Sequence, residues 1–505
     1  MSAVAISFIV YTIAIAVLGI VSTRFAKDSH ADFLLADRGL GPWVAGLSAA
    51  ASAESGWVTL GLVGFAFKTG VAAFWIVPGT VLAFLFNWFV LGPRLRQASI
   101  DKQSLTLVDV IAARYQSRWA FWIRLIGIVI VVSMLTAYVA SQLNAAGKTF
   151  RQAFAWEYSS GVLLGGGLVL LYTLVGGFRA VSWTDVLQSF FMIATVTVIP
   201  FLLISEIGGL EAFWEQLAKL EPEFKNNPST GIAEQVWNGG SDSTNAFAGK
   251  SGYMLIGFMA LWLGIPFGNS GQPHSLIRIM STKDENALRR GGMICSAWVL
   301  VLFSGAVLLG IAARVYLVGQ VDPSTFDPEE VLPHLAQQSD LVYGVFGGVL
   351  LAAILAAICS TADSQLLVSA SAISHDLLER VCGVNLSLKS RKIVERCSLL
   401  LIAVVATTIA LGNVESVFRF VLDYGWAGLG AGLGPALIMT LLWKRATGPG
   451  IVAGMLVGVS VAVVWKASGL SATLYSMLPA FFASLLAIVL VSWLTPDRQE
   501  SSTVL

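Results

Sequence analysis

Apolar stretches of bilayer-crossing length follow one another along almost the whole chain. Stretches of about twenty such residues fit transmembrane helices, which satisfy their own backbone polar groups where no water can. Of 505 residues, 56% are hydrophobic and only 12% charged, with a mean hydropathy of +0.77. A soluble protein carries about a quarter charged residues, so most of this chain must face lipid or other apolar helices. The expected fold class is therefore all-α: a polytopic membrane protein with about 13 spans. These fall near 3–22, 40–66, 71–95, 121–147, 160–178, 181–204, 251–273, 289–317, 341–374, 397–411, 415–442, 448–468 and 474–494. Some are joined by only a few residues, as at Gly176-Gly177-Phe178-Arg179.

Charge orients the spans. The segments expected inside carry Arg24, Lys27 and Arg38, then Arg94 to Arg118, Arg278 to Arg290, Arg380 to Arg396, and Lys444 with Arg445. With Arg179 and Arg498, about 21 basic residues lie inside against about 9 outside, a positive-inside bias. No basic residue precedes the first span, and Arg24 and Lys27 follow it. The expectation is a retained anchor with its N-terminus outside and, after an odd number of spans, a cytoplasmic C-terminus. This suits a multi-pass protein of a plasma membrane, bacterial and inner. Membrane lipid is its immediate partner. A net charge of +1 argues against nucleic acid, and no obligate protein partner is evident. Cys295, Cys359, Cys382 and Cys397 show no CxxC pairing and read as inert thiols. The longest outside segment, about 205–250, contains an amphipathic helix at Leu210 to Leu220 and then a polar stretch, and reads as a surface cap.

Two spans are interrupted. The first breaks at Ala49-Ala50-Ala51-Ser52-Ala53-Glu54-Ser55-Gly56-Trp57, where small residues let a helix unwind at mid-bilayer depth. The second breaks at Gly264-Ile265-Pro266-Phe267-Gly268-Asn269-Ser270-Gly271-Gln272-Pro273-His274. Freed carbonyls and helix ends in a membrane need a partner, and a cation or polar solute supplies one. Interrupted helices in corresponding halves point to a secondary transporter and to its binding site.

Polar residues elsewhere gather around these breaks. Ala357, Ser360, Thr361 and Ser364 stand at offsets 0, 3, 4 and 7, one helical face. Such a face offers hard oxygen ligands to a small cation, or packs closely with its hydroxyls bonded back to the backbone. Beside the first break, the ligand reading is preferred. Glu54, Asp185 and Asp363 are intramembrane acids, functional candidates by default, with a hydrogen-bonded structural acid as the alternative. Neither Asp185 nor Asp363 has an obvious basic partner at its own depth, so with Ser364 they are a candidate second cation site. Tyr138 and Gln142 form an i, i+4 polar stripe, and Trp262, Phe267, Asn269 and Gln272 surround the second break. Aromatic rings with a few polar groups suit a small amphipathic solute, or they are interfacial packing. His274 and Arg278 read as topology and gating residues.

Several of these motifs together resemble the sodium/solute symporter family, most closely its sodium/proline branch. They are Phe33-Leu34-Leu35 with Asp37-Arg38, the run Ser48 to Trp57, and Val181-Ser182-Trp183-Thr184-Asp185. Gly271-Gln272-Pro273-His274 and Ser360-Thr361-Ala362-Asp363-Ser364-Gln365-Leu366-Leu367 complete the set. The resemblance runs through nearly the whole chain. It implies a single transporter domain over 1–505 with a LeuT-type inverted five-plus-five repeat, core repeats about 40–204 and 251–442, and peripheral spans 3–22, 448–468 and 474–494. It implies Na+ as the coupling ion, held by backbone carbonyls of Ala51, Glu54 and Ala357 and hydroxyls of Ser360 and Thr361. It also implies a small-molecule substrate near Ser55, Trp57, Tyr138 and the second break. Proline carriers have an aspartate and then a methionine where this chain has Ala53 and Glu54, and often a neutral residue at Asp363. The second break also lacks the aromatic residues of their pocket.

The leading expectation is sodium-coupled uptake of a small zwitterion, proline or a related amino acid. The alternative is sodium- or proton-coupled uptake of an organic acid or other small solute. A membrane sensor would need a larger cytoplasmic domain than the tail Thr495 to Leu505. An intramembrane enzyme would need acids at catalytic spacing, and none are found, so no enzymatic activity is expected.

Overall fold

The computed structural model describes residues 3–24, 29–220, 259–262, 264–322, 325–338, 345–412, 416–472 and 474–495. All regular structure among them is helical, apart from an isolated bridge between Leu40 and Thr282. The helices that frame the site are α1 (Ala3–Thr23), α2 (Pro42–Ala53), α3 (Val63–Thr69), α4 (Ile76–Leu85), α5 (Ser117–Phe154), α6 (Tyr158–Ile207) and α7 (Leu210–Lys219). They continue with α8 (Pro273–Met280), α9 (Glu285–Tyr316), α10 (Val345–Ser371), α11 (Leu388–Leu411), α12 (Ala427–Leu442), α13 (Gly448–Ala467) and α14 (Met477–Leu494). Eight helical runs among the described residues are long and apolar enough to span a membrane, and three shorter apolar helices accompany them. The chain is a multi-pass membrane protein. The polar stretch 221–250, the tail from 496, and the first residues of the expected spans 251–273 and 341–374 lie outside the described residues.

Local chemistry sets where these helices stop and turn. The run Tyr158–Ile207 bends at Gly177, whose φ of 58° is accessible to glycine. A Cβ there would stand 2.9 Å from the Phe33 ring, and the kink divides the run where the expected spans 160–178 and 181–204 meet. Asp284 caps α9 by accepting from the Ala287 N–H at 2.6 Å. The end of α3 is closed from another helix: Arg314 of α9 donates to the carbonyls of Phe67 (3.0 Å) and Lys68 (2.5 Å).

Small residues bring the inner helices into backbone contact, as lipid-embedded packing requires. A Cβ on Gly46 of α2 would meet the Gly291 carbonyl of α9 at 2.6 Å, and one on Gly310 the Val63 carbonyl at 2.3 Å. The interrupted helix α2 thus packs against α6 and α9 and touches α10. The second break, whose tight 3₁₀ turns run Ile265–Gly271, packs against the glycine-rich α12 and against α4. Both breaks are therefore enclosed by protein, the condition for irregular backbone at membrane depth.

Candidate functional site

Helix α2 stops at Ala53, and Glu54 is extended (φ −102°, ψ 101°). Helical winding resumes at Trp57–Leu62 as a wide π-type turn leading into α3. Side chains take over the donors that the break frees. Gln142 of α5 accepts from the Gly56 N–H at 3.0 Å, and the Ser55 hydroxyl accepts from the Trp57 N–H at 3.0 Å. The Ser55 hydroxyl is also 3.4 Å from the Tyr138 hydroxyl. The i, i+4 pair Tyr138 and Gln142 thus faces the break.

Oxygens from α10 meet the carbonyl end of α2. Ser360 donates to the Ala51 carbonyl at 2.9 Å, and the Ala357 carbonyl is 3.2 Å from the same hydroxyl. Thr361 beside them is fully buried, and its hydroxyl has no hydrogen-bond partner. Glu54 is buried, with Oε1 likewise unpartnered. Two carbonyls and the Ser360 hydroxyl therefore converge near the end of α2, with the unpartnered Thr361 hydroxyl on the adjacent residue. That is a set of hard, neutral oxygens, suited to an alkali cation.

The second break is anchored by Trp426, which donates to the Ile265 carbonyl at 2.6 Å. A Cβ on Gly271 would meet the Leu429 carbonyl of α12 at 2.4 Å, so only glycine allows this approach. Asn269 is buried with both amide atoms unpartnered. Gln272 donates to the Gly268 carbonyl at 3.3 Å while its Oε1 is unpartnered. The ring of Trp57 packs on Phe303 and that of Trp262 on Phe65. Phe267 goes the other way: it is 38% exposed and makes tilted and edge-on ring contacts with Phe481 and Phe482 of α14. The structure does not bring it to the first break, because its 3₁₀ position turns the ring outward.

Asp185 has a basic partner, contrary to the expectation from sequence. Arg278 of α8 is fully buried and lies 3.0 Å from its Oδ2. The same guanidinium donates to Ser48 of α2 (3.0 Å), to Ser364 of α10 (2.6 Å) and to the His274 carbonyl, and covers the Phe178 ring. Ser48 donates to Asp185 at 2.6 Å. Ser364 donates to the Ser360 carbonyl at 2.8 Å, with Asp363 Oδ1 at 3.1 Å. The guanidinium thus occupies the space between Asp185 and Ser364, and Arg278 is an interior residue rather than a loop charge.

A polar tie at the other end of the site went unread in the sequence. Lys148 of α5 donates to Asp327 (2.8 Å) and Glu329 (2.7 Å). Glu329 also accepts from the Ser416 hydroxyl (2.7 Å) and the Val417 N–H (3.0 Å). Lys148 lies six residues beyond Gln142, on the same helix that reaches the break, which is the signal a reading could have used.

The model of the sodium:solute symporter family matches residues 33–458. The osmoregulated proline transporter OpuE of Bacillus subtilis (strain 168) is 32% identical, over 98% of this chain and 96% of its own. The sodium/proline symporter of Escherichia coli (strain K12) is also 32% identical, over 97% and 92%. Among solved structures, a substrate-bound, outward-open Na+-coupled sialic acid symporter superposes with a TM-score of 0.80 over 99% of both chains, at 17% identity. The fold is thus the LeuT-type fold of such carriers.

Proposed function

This chain belongs to the sodium:solute symporter family, and from that premise we propose that it takes up a small zwitterionic amino acid, proline or a close relative, together with sodium. The observation that carries the proposal is the contact of Ser360 with the freed Ala51 carbonyl, beside the unpartnered Thr361 hydroxyl. Sodium is read as bound by the carbonyls of Ala51, Glu54 and Ala357 and the hydroxyls of Ser360 and Thr361. The choice of proline rests on the printed names of relatives such as OpuE.

In this reading sodium enters from outside and replaces the Ser360 hydrogen as the partner of the Ala51 carbonyl. The bound ion stabilises the unwound segment Glu54 to Gly56, which presents Ser55 and Tyr138 to the solute. Trp57, Trp262, Asn269 and Gln272 complete the surroundings, and Phe267 is left out of this reading because its ring turns towards Phe481. Solute and ion each raise the other's affinity by the same factor. The core repeats are taken as about 40–204 and 251–442, with 3–22, 448–468 and 474–494 peripheral. The basic segments face the cytoplasm of a bacterial cell, with the N-terminus outside. A second cation site at Asp185, Asp363 and Ser364 would require Arg278 to swing out. In the present arrangement the guanidinium already supplies that positive charge.

The test is uptake of a panel of labelled solutes by proteoliposomes, each with and without an inward sodium gradient. Sodium-dependent proline uptake supports the proposal. Sodium-dependent uptake restricted to an organic acid would overturn the choice of solute, and uptake indifferent to sodium would overturn the coupling.

A further inference from the structure

Away from the transport site, three buried side chains direct atoms that make no hydrogen bond at one another. They are Asp109, on the short helix Leu107–Ala112, and His375 and Asp376, on the π-type continuation of α10, Ala372–Val381. The atoms are Asp109 Oδ2, His375 Nε2 and Asp376 Oδ2, none with a hydrogen-bond partner. One ligand atom from each residue lies within 4.8 Å of the others, and His375 Nε2 is 3.6 Å from Asp109 Oδ2. Donors about 2.0–2.2 Å from a tetrahedral metal ion are about 3.4 Å apart, close to that spacing.

The far side of each residue is held. Arg124 donates to Asp109 Oδ1 at 2.7 Å and Thr106 to Asp376 Oδ1 at 2.8 Å, so each carboxylate is pinned by one oxygen and offers the other. His375 Nδ1 is 3.1 Å from Glu379 Oε2, and Glu379 is gripped in turn by Arg391. A carboxylate on one imidazole nitrogen, with the other nitrogen turned to a shared centre, is the usual support of a metal-ligating histidine. Arg380 also approaches Asp109 Oδ2, at 3.6 Å, from a side chain 41% exposed. That contact is long, and the guanidinium is free to turn into solvent.

We propose that Asp109, His375 and Asp376 form a binding site for one divalent transition-metal ion, with zinc as the best match. A neutral imidazole and the free oxygens of two carboxylates make a donor set for a divalent ion, Arg124 offsetting part of the Asp109 charge, and the nitrogen donor favours zinc over magnesium or calcium. The ion would fasten the end of the helix that carries Ser360 to the Leu107–Ala112 helix, at the face carrying Arg380 and Arg391.

The experiment uses the purified full chain in detergent, stripped with a chelator and desalted. Zinc affinity is measured by competition with a chromophoric chelator, and stoichiometry by elemental analysis. One zinc per chain is expected. Asp376→Asn should lower the affinity by about a hundredfold or more, and Glu379→Gln by about ten- to a hundredfold. His334→Gln should leave it unchanged. Cobalt added to His375→Cys should give a thiolate charge-transfer band absent from the wild type, and this decides the matter if Asp376→Asn fails to elute as a monodisperse species. Wild-type zinc binding no stronger than that of Asp376→Asn, or no cobalt–thiolate band, would overturn the site. A proton on His375 would then be what joins the two carboxylates.

Discussion

The Arg278 guanidinium lies 3.0 Å from the Asp185 carboxylate, with both side chains fully buried. Through Ser48, Ser364 and the His274 carbonyl, this one pair joins α2, α6, α8 and α10 beside the first break. Taking two charges out of water is costly, and their attraction repays it only with good geometry and further hydrogen bonds. Here the hydroxyls of Ser48 and Ser364 supply those bonds.

The pair predicts a non-additive mutant cycle. Arg278→Met or Asp185→Leu alone should each lower stability by about 3–5 kcal/mol, because each strands a buried charge. The double variant should recover most of the loss. Thermal unfolding in detergent measures it, and losses that simply add would contradict the pairing. With Arg278 supplying the charge at Asp185, the sodium dependence of uptake should have a Hill coefficient of one.

Ser360→Ala and Thr361→Ala should each raise the half-saturating sodium concentration roughly ten- to a hundredfold, at near-normal expression. Each removes a charge-assisted contact worth about 1.5–3 kcal/mol. Sodium titrations of uptake that overlay the wild type in both variants would remove the assignment.

Glu54→Gln should reduce uptake and spare sodium binding. The proposed ligand at this position is the backbone carbonyl, which the substitution keeps. Sodium-dependent quenching of tryptophan fluorescence is a direct readout. If quenching disappears in a folded variant, the carboxylate itself holds the ion.

Lys148→Met leaves Asp327 and Glu329 facing each other without their cation. The segment 325–338 should then separate from the end of α5, the buried partner loss costing about 3–5 kcal/mol. Spin labels on the two elements should show a longer distance population by electron–electron resonance. An unchanged distance distribution would mean the tie does not hold that end closed.

Both interruptions were legible in the sequence, because runs such as Ala49 to Gly56 combine small residues with polar ones inside an apolar span. Helical spacing likewise set Ser360 and Thr361 on one face, and glycines marked the bend at Gly177. Pairings between distant segments were not legible. Asp185 and Arg278 are 93 residues apart, and charge counting placed Arg278 among the loop charges although tertiary packing buries it. Phe267 read as a pocket residue because it sits in the break, yet only the 3₁₀ geometry decides which way its ring faces. The contacts of Lys148 with Asp327 and Glu329 span about 180 residues and leave no local pattern.

The most direct test is accumulation of labelled proline in proteoliposomes under an imposed inward sodium gradient, beside a matched potassium gradient. The account predicts accumulation above equilibrium with sodium only, carried by a positive inward current and abolished by a sodium ionophore. Accumulation that follows a pH gradient with sodium absent would contradict it and would move the coupling from the Ala51–Ser360 oxygens to the acids.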